Sequence, residues 1–168
     1  VFFVNQNTGW LTAKGSSYEG IYKSIDGGVT WTQKSSINSS SIYFSDINNG
    51  WAVGVGGSIL KSTDSGESWV SKTSGTTNNL NCVNFYNSNV GMCVGNAGTV
   101  LLSSDGGESW VSQNVNTTEK LASVQFTNSS TIWIAGDNGT ILNTTDLGNN
   151  STFFTGVTGK DLTSLSFV

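Results

Sequence analysis

The chain has 168 residues and a formal charge of −4, with seven lysines and no arginine, histidine or proline. So few cations cannot neutralise a phosphate backbone or an anionic bilayer, which excludes nucleic acids and membrane surfaces as partners. No apolar run approaches the roughly 18 residues of a membrane-spanning helix. Without histidine there is neither an imidazole base nor an imidazole metal ligand, so no metal or cofactor is expected.

Val1-Phe-Phe3-Val4 opens the chain as a short alternating strand, and the pair Gly9-Trp10 follows. The same signals then recur. Ile42-Tyr-Phe44, Val83-Asn-Phe85 and Val124-Gln-Phe126 alternate apolar and polar residues as half-buried strands do. Polar turns such as Asp46–Gly50 and Asn87–Gly91 lead to a second strand at Gly50-Trp51, Gly91-Met92 or Ile132-Trp133. Positions 10, 51, 92 and 133 are spaced by 41 residues. A Gly-rich hairpin (Gly95–Gly98, Gly136–Gly139) precedes a third strand anchored by Ile21, Ile59, Val100 or Ile141. A turn Ser-x-Asp-x-Gly-x-x-Trp then introduces the fourth strand. It reads Ser24–Trp31, Ser62–Trp69 and Ser103–Trp110, with a worn copy at Thr144–Gly148 in which Ser151 replaces the tryptophan.

A period near 41 with four strands per unit predicts an all-β, propeller-like array of four four-stranded blades. The blades fall at about 1–41, 42–81, 82–122 and 123–161, with first strands near 1–4, 42–45, 82–86 and 122–127. Each unusual residue occupies a repeat slot. Asp26, Asp64, Asp105 and Asp146 are therefore read as turn-stapling residues that accept bonds from nearby backbone amides. Trp31, Trp69 and Trp110 are read as packing between blades rather than as a ligand platform.

These turns, preceded by Gly-Trp-x-x-Gly, resemble the Asp-box or BNR repeat. With Leu80-x-x-Val83-x-Phe85 ahead of them they are most similar to the repeats of photosystem II stability and assembly factors. Sialidases, xyloglucan hydrolases and sortilin-type receptors carry related repeats, so the resemblance implies a propeller more than an activity. The sialidase arginine cluster has no counterpart here. A glycosidase needs two carboxylates that face each other across a sugar, whereas Asp46 and Asp137 read as ordinary turn residues and Glu67 and Glu108 lie on exposed Asp-box turns. A non-catalytic chain is expected.

Cys82 and Cys93 lie on adjacent strands. If the turn between them centres between Asn87 and Ser88 they face each other, and a cross-strand disulfide is expected, two buried thiols being the alternative. Seven Asn-x-Ser/Thr sequons, at Asn38, Asn116, Asn128, Asn138, Asn143, Asn149 and Asn150, are about as many as this composition produces by chance. They remain possible glycosylation sites.

Leu162-Thr-Ser-Leu165-Ser-Phe167-Val168 matches Leu121–Thr127, so the chain carries five first strands for four blades. Either the chain is a segment of a larger propeller, or Leu162, Leu165 and Phe167 form an assembly strand offered to a neighbour. The leading expectation is a structural, self-assembling subunit that forms a head-to-tail homo-oligomer or fibre. Its start at Val1, low charge and hydroxyl-rich surface suit an extracellular or periplasmic setting. The alternative is a propeller that binds glycans or proteins. A photosystem-type assembly factor and a glycoside hydrolase stand behind it.

Overall fold

The structure, a computed structural model, describes residues 1–15, 18–147, 151–154 (main chain only) and 159–167. It contains four antiparallel four-stranded sheets, each built from consecutive strands. Blade 1 holds β1 (Phe2–Phe3), β2 (Gly9–Ala13), β3 (Gly20–Ser24) and β4 (Thr32–Ser35). Blade 2 holds β5 (Ser39–Phe44), β6 (Gly50–Gly54), β7 (Ile59–Ser62) and β8 (Val70–Lys72). Blade 3 holds β9 (Leu80–Phe85), β10 (Gly91–Gly95), β11 (Val100–Ser103) and β12 (Val111–Ser112). Blade 4 holds β13 (Leu121–Phe126), β14 (Ile132–Gly136), β15 (Ile141–Thr144) and β16 (Ser151–Phe154).

The first strands of blades 2, 3 and 4 each begin three residues before the alternating runs that signal them. A bulge near their start, between Ser39 and Ser41, opposite Gly95, and between Leu121 and Ser123, breaks the alternation. Gly54, Gly95 and Gly136 face these bulges, where a Cβ would come within 2.2–2.3 Å of a backbone carbonyl. Trp31, Trp69 and Trp110 stand one residue before their fourth strands rather than in them.

Neighbouring first strands lie against one another, so they form the inner side of the arc, and the short, largely exposed fourth strands of blades 1–3 form its outer rim. The core lies between blades rather than within them. Ile21 of blade 1 packs on Ala52 and Leu60 of blade 2. Trp51, Val53 and Ile59 of blade 2 pack on Val83, Phe85, Cys93 and Leu101 of blade 3. Met92, Val94 and Val100 of blade 3 pack on Val124, Ile132, Ile134 and Leu142 of blade 4. The sheets of blades 2 and 3 are thus apolar on both faces, as a blade sandwiched by neighbours must be. Among the described residues no such cluster joins blade 4 back to blade 1, and the four blades form an open arc.

Candidate functional site

In each Asp box the carboxylate organises its own turn. Asp26 accepts from the Thr30 amide at 2.9 Å and the Thr30 hydroxyl at 2.5 Å, while the Ser24 hydroxyl donates to it at 2.7 Å. Asp64 does the same with Ser68 and Ser62, and Asp105 with Ser109 and Ser103. The serine hydroxyl in turn accepts from the amide of Gly28, Gly66 or Gly107. The hydroxyl residue before the tryptophan is therefore part of the motif, a position the sequence reading left open. These donated bonds, the hydroxyl four residues on foremost, hold the three aspartates at a pKa of about 2. In the fourth box Thr144 donates to Asp146 at 2.7 Å.

The Gly-Trp pairs lock one blade to the next. Trp10 stacks on Phe44 at 3.6 Å between ring centroids, and Trp51 on Phe85 at 3.7 Å. Their indole N–H groups donate to the Asp-box carbonyls of the following blade, Ser65 at 3.1 Å and Gly106 at 3.0 Å. Gly66 (φ +72°) and Gly107 (φ +80°) lie under these indoles, where a Cβ would fall 2.4 and 2.3 Å from the indole nitrogen. Each phenyl also lies flat over its own blade's glycine, Gly50 or Gly91, and meets the box tryptophan, Trp69 or Trp110, edge-on at 5.8 Å. The glycine thus serves the interface behind its blade and the tryptophan the one ahead. Between blades 3 and 4 the lock changes chemistry. Met92 has no N–H to donate, Leu147 occupies the position of Ser65 and Gly106, and both join one apolar cluster.

Charged clamps reinforce two interfaces. Glu67 in the second Asp box accepts from Lys23 and Lys34 of blade 1, both at 2.7 Å. Glu108 accepts from Lys61 and Lys72 of blade 2 at 2.7 and 2.6 Å. The paired lysines hold both glutamates below their ordinary pKa. Lys23 and Lys61 also sit over Trp10 and Trp51 at 5.8 and 6.0 Å. Sequence reasoning missed these clamps, although Lys-Ser ahead of the first two boxes and a lysine three residues past Trp31 and Trp69 mark them.

The expected Cys82–Cys93 disulfide is absent, and both residues are free thiols. The loop between β9 and β10 spans the odd number of residues from Tyr86 to Val90. It is closed by Asn87 accepting from the amides of Asn89 and Val90, and so it centres on Ser88. The register therefore pairs Cys82 with Val94 and Cys93 with Val83. Adjacent residues of a strand point to opposite faces, so Cys82 meets Val124 of blade 4 while Cys93 is buried against blade 2. Burial raises both thiol pKa values, that of Cys93 the more.

Among the sequons, Asn116 and Asn128 are exposed in loops and Asn138 is exposed in the 3-10 turn Asp137–Gly139. Asn138 donates to Glu119 at 2.9 Å. Asn38 is half-buried, and its carboxamide oxygen is enclosed. Asn143 lies in β15 with its amide donating to the Ile132 carbonyl, so it does not occupy a loop. Asn149 and Asn150 lie outside the described residues, as does Val168.

The C-terminal segment 161–167 lies along blade 4 without a β ladder among the described residues, and the Leu162 amide donates to the Gly136 carbonyl at 3.0 Å. Its contacts repeat those of the internal first strands. Ser123 accepts from the Leu165 amide at 3.2 Å as Ser41 accepts from Val83 at 3.3 Å. Asp161 accepts from the Asn138 amide as Asn79 does from that of Gly56. Phe167 approaches Trp133 at 6.0 Å, looser than the two internal stacks. Leu162, Leu165 and Phe167 thus occupy the first-strand slot of a fifth blade.

Sheets of this topology, stapled by Asp boxes and locked by aromatic rings between blades, define a BNR-type β-propeller repeat protein. The chain belongs to the family described as photosynthesis system II assembly factor YCF48, whose sequence profile matches residues 34–102 and 73–154. In structure it is similar to "YCF48 bound to D1 peptide", with a TM-score of 0.61, 24% identity, and coverage of 67% of this chain and 39% of that one. It is also similar to YCF48 from Cyanidioschyzon merolae (0.61, 22%, 70% and 41%). A GH74 enzyme from Niastella koreensis shares the fold more extensively (0.68, 18%, 88% and 28%). At these identities the likenesses concern the fold. The chain spans 39% and 41% of the length of the two YCF48 structures. Comparison with curated protein sequences gave no match.

Proposed function

We propose that this chain is a non-catalytic structural propeller subunit that assembles head to tail in an extracellular or periplasmic setting through its C-terminal strand. The observation that carries the reading is the docking of residues 161–167 on blade 4, with hydrogen bonds at Asp161 and Leu165 that repeat those of Asn79 and Val83 at an internal junction. Among the described residues no second strand pairs with it, and an edge of this kind can pair with another chain. The non-catalytic part is supported by the engagement of the repeat carboxylates. The Asp-box aspartates are held by their own turns, Glu67 and Glu108 by lysine pairs, and Asp46 by Asn48 and Asn49. A glycosidase needs two carboxylates that face each other and a sugar.

Sedimentation velocity of the full chain across a hundredfold range of concentration tests the reading. Concentration-dependent oligomers that disappear when residues 162–168 are deleted, with β-structure retained, are the expected result. A monomer at every concentration would refute it. A second reading, a polypeptide-binding propeller, is supported by family membership and by the likeness to YCF48 bound to D1 peptide. It requires a monomer whose open edge captures a foreign extended peptide.

A further inference from the structure

We infer that the junctions of blade 1 with blade 2 and of blade 2 with blade 3 are electrostatic latches, released by salt or acid, and that blades 3 and 4 form a pair whose junction responds to neither.

Each latch sets two largely buried cations of one blade against a single carboxylate of the next. Glu67 reaches back from its Asp box to place one oxygen on Lys23 of β3 and the other on Lys34 of β4. Glu108 does the same with Lys61 of β7 and Lys72 of β8. The four lysine side chains are 9–21% exposed, whereas the glutamates are 52% and 54% exposed. The remaining walls carry no charge, with Ile25, Thr30 and Thr32 at the first junction and Thr63, Ser68 and Val70 at the second. The carboxylates of the neighbouring turns, Asp26, Asp64 and Asp105, are taken up by their own hydroxyl partners. Neutralising the glutamate therefore leaves two poorly hydrated ammonium groups beside each other, which strains the junction. Dissolved ions reach the exposed glutamate, so salt weakens the latch. The lysine pair holds each glutamate below its ordinary pKa of 4.5, so the latch is whole at neutral pH and is lost as the pH falls through that lowered value.

The third junction lacks these parts. Leu102 and Gln113 stand where the clamp lysines stand, and Asn149 stands where the glutamates stand. No lysine occurs between Lys72 and Lys120, so blade 3 has no cation to offer. Leu102 instead packs with Met92, Val115 and Leu147 in the apolar cluster that joins blades 3 and 4. The polar ties across this junction are uncharged and lie along the first strands. Asn81 donates to the Leu121 carbonyl at 2.8 Å, and Asn84 accepts from the Phe126 amide at 3.5 Å. Apolar burial is indifferent to protonation and is not weakened by screening.

The chain carries a reporter at each junction. The indole N–H of Trp10 bonds across the first and that of Trp51 across the second, while Met92, the only methionine, is buried in the third. Nuclear magnetic resonance reads all three in one sample, by hydrogen exchange of the two indoles and by broadening of the Met92 methyl signal with a soluble nitroxide. Glu67→Gln copies the protonated side chain without changing its shape. It should lower the protection of Trp10 about fivefold and leave Trp51 and Met92 as they were. Glu108→Gln should do the same to Trp51 alone. Raising sodium chloride from about 0.05 M to about 1 M shortens the Debye length to about 3 Å. That change should lower both indole protections in the unaltered chain but not in the double variant, with Met92 still shielded. If either variant lowers both indoles alike or neither, or if salt uncovers Met92 together with the indoles, the latches are not confined to two junctions and the inference is wrong.

Discussion

Replacing Trp51 with alanine tests whether the indole–phenyl lock holds the blades together. Trp51 is fully buried, stacks on Phe85 at 3.7 Å and donates its N–H to the Gly106 carbonyl at 3.0 Å. Truncating a buried tryptophan costs about 3–5 kcal/mol in lost transfer energy and cavity. Stranding the Gly106 carbonyl adds about 1–3 kcal/mol. The two effects share a site and do not add fully, so a loss of about 4–6 kcal/mol is expected. Trp51→Phe keeps a ring over Phe85 but removes the donor, and about 1–3 kcal/mol should be lost. Urea denaturation followed by far-ultraviolet circular dichroism measures both. A second probe is needed to verify that the transition stays two-state, since repeat arrays can lose cooperativity. If Trp51→Ala costs under about 2 kcal/mol, or no more than Trp51→Phe, the blades are held by something other than the lock.

The Asp-box aspartates have folded pKa values of about 2, below the ordinary 3.8. Their contribution to stability is therefore fully present above about pH 4 and lost as the pH falls toward 2. Carboxyl carbon NMR titration should place all three midpoints near 2, and a midpoint near 4 for any of them would show that its turn is unstapled. Glu108→Gln should cost about 1 kcal/mol, more than a fully exposed pair because Lys61 is largely buried, and added salt should shrink the difference. Thiol titration should find two reactive cysteines per chain in denaturant without reductant. In the folded protein Cys93 should stay protected while Cys82 reacts slowly, and fewer than two thiols in denaturant would restore the disulfide.

Much of the architecture can be read from spacing because each blade writes its strands locally, and the 41-residue step of the Gly-Trp pairs fixes the unit. The pairing of Cys82 and Cys93 could not be read so securely. It hung on whether a turn centres on a residue or between two, and that choice reverses the face of every side chain on a strand. The clamps escaped notice for a different reason. Lys23 and Glu67 lie 44 residues apart, and only the packing of one blade on the next brings them to 2.7 Å. The surplus strand was visible as a repeat of Leu121–Thr127, but its placement on blade 4 depended on Ser123 and Asn138, whose roles appear only in three dimensions.

The lock also bears on how such a chain can change over generations. Its parts are divided between successive units, an indole in one and a glycine-bearing turn in the next, so neither half can drift alone. Exchanging Trp for Met at position 92 goes with Leu147 in the following turn, and the clamp lysines and glutamates vanish together at the same junction. What is inherited as a working part is therefore the junction rather than the blade. Insertion or loss of a whole 41-residue step preserves every junction it does not interrupt, which makes blade number easier to alter than any single tryptophan.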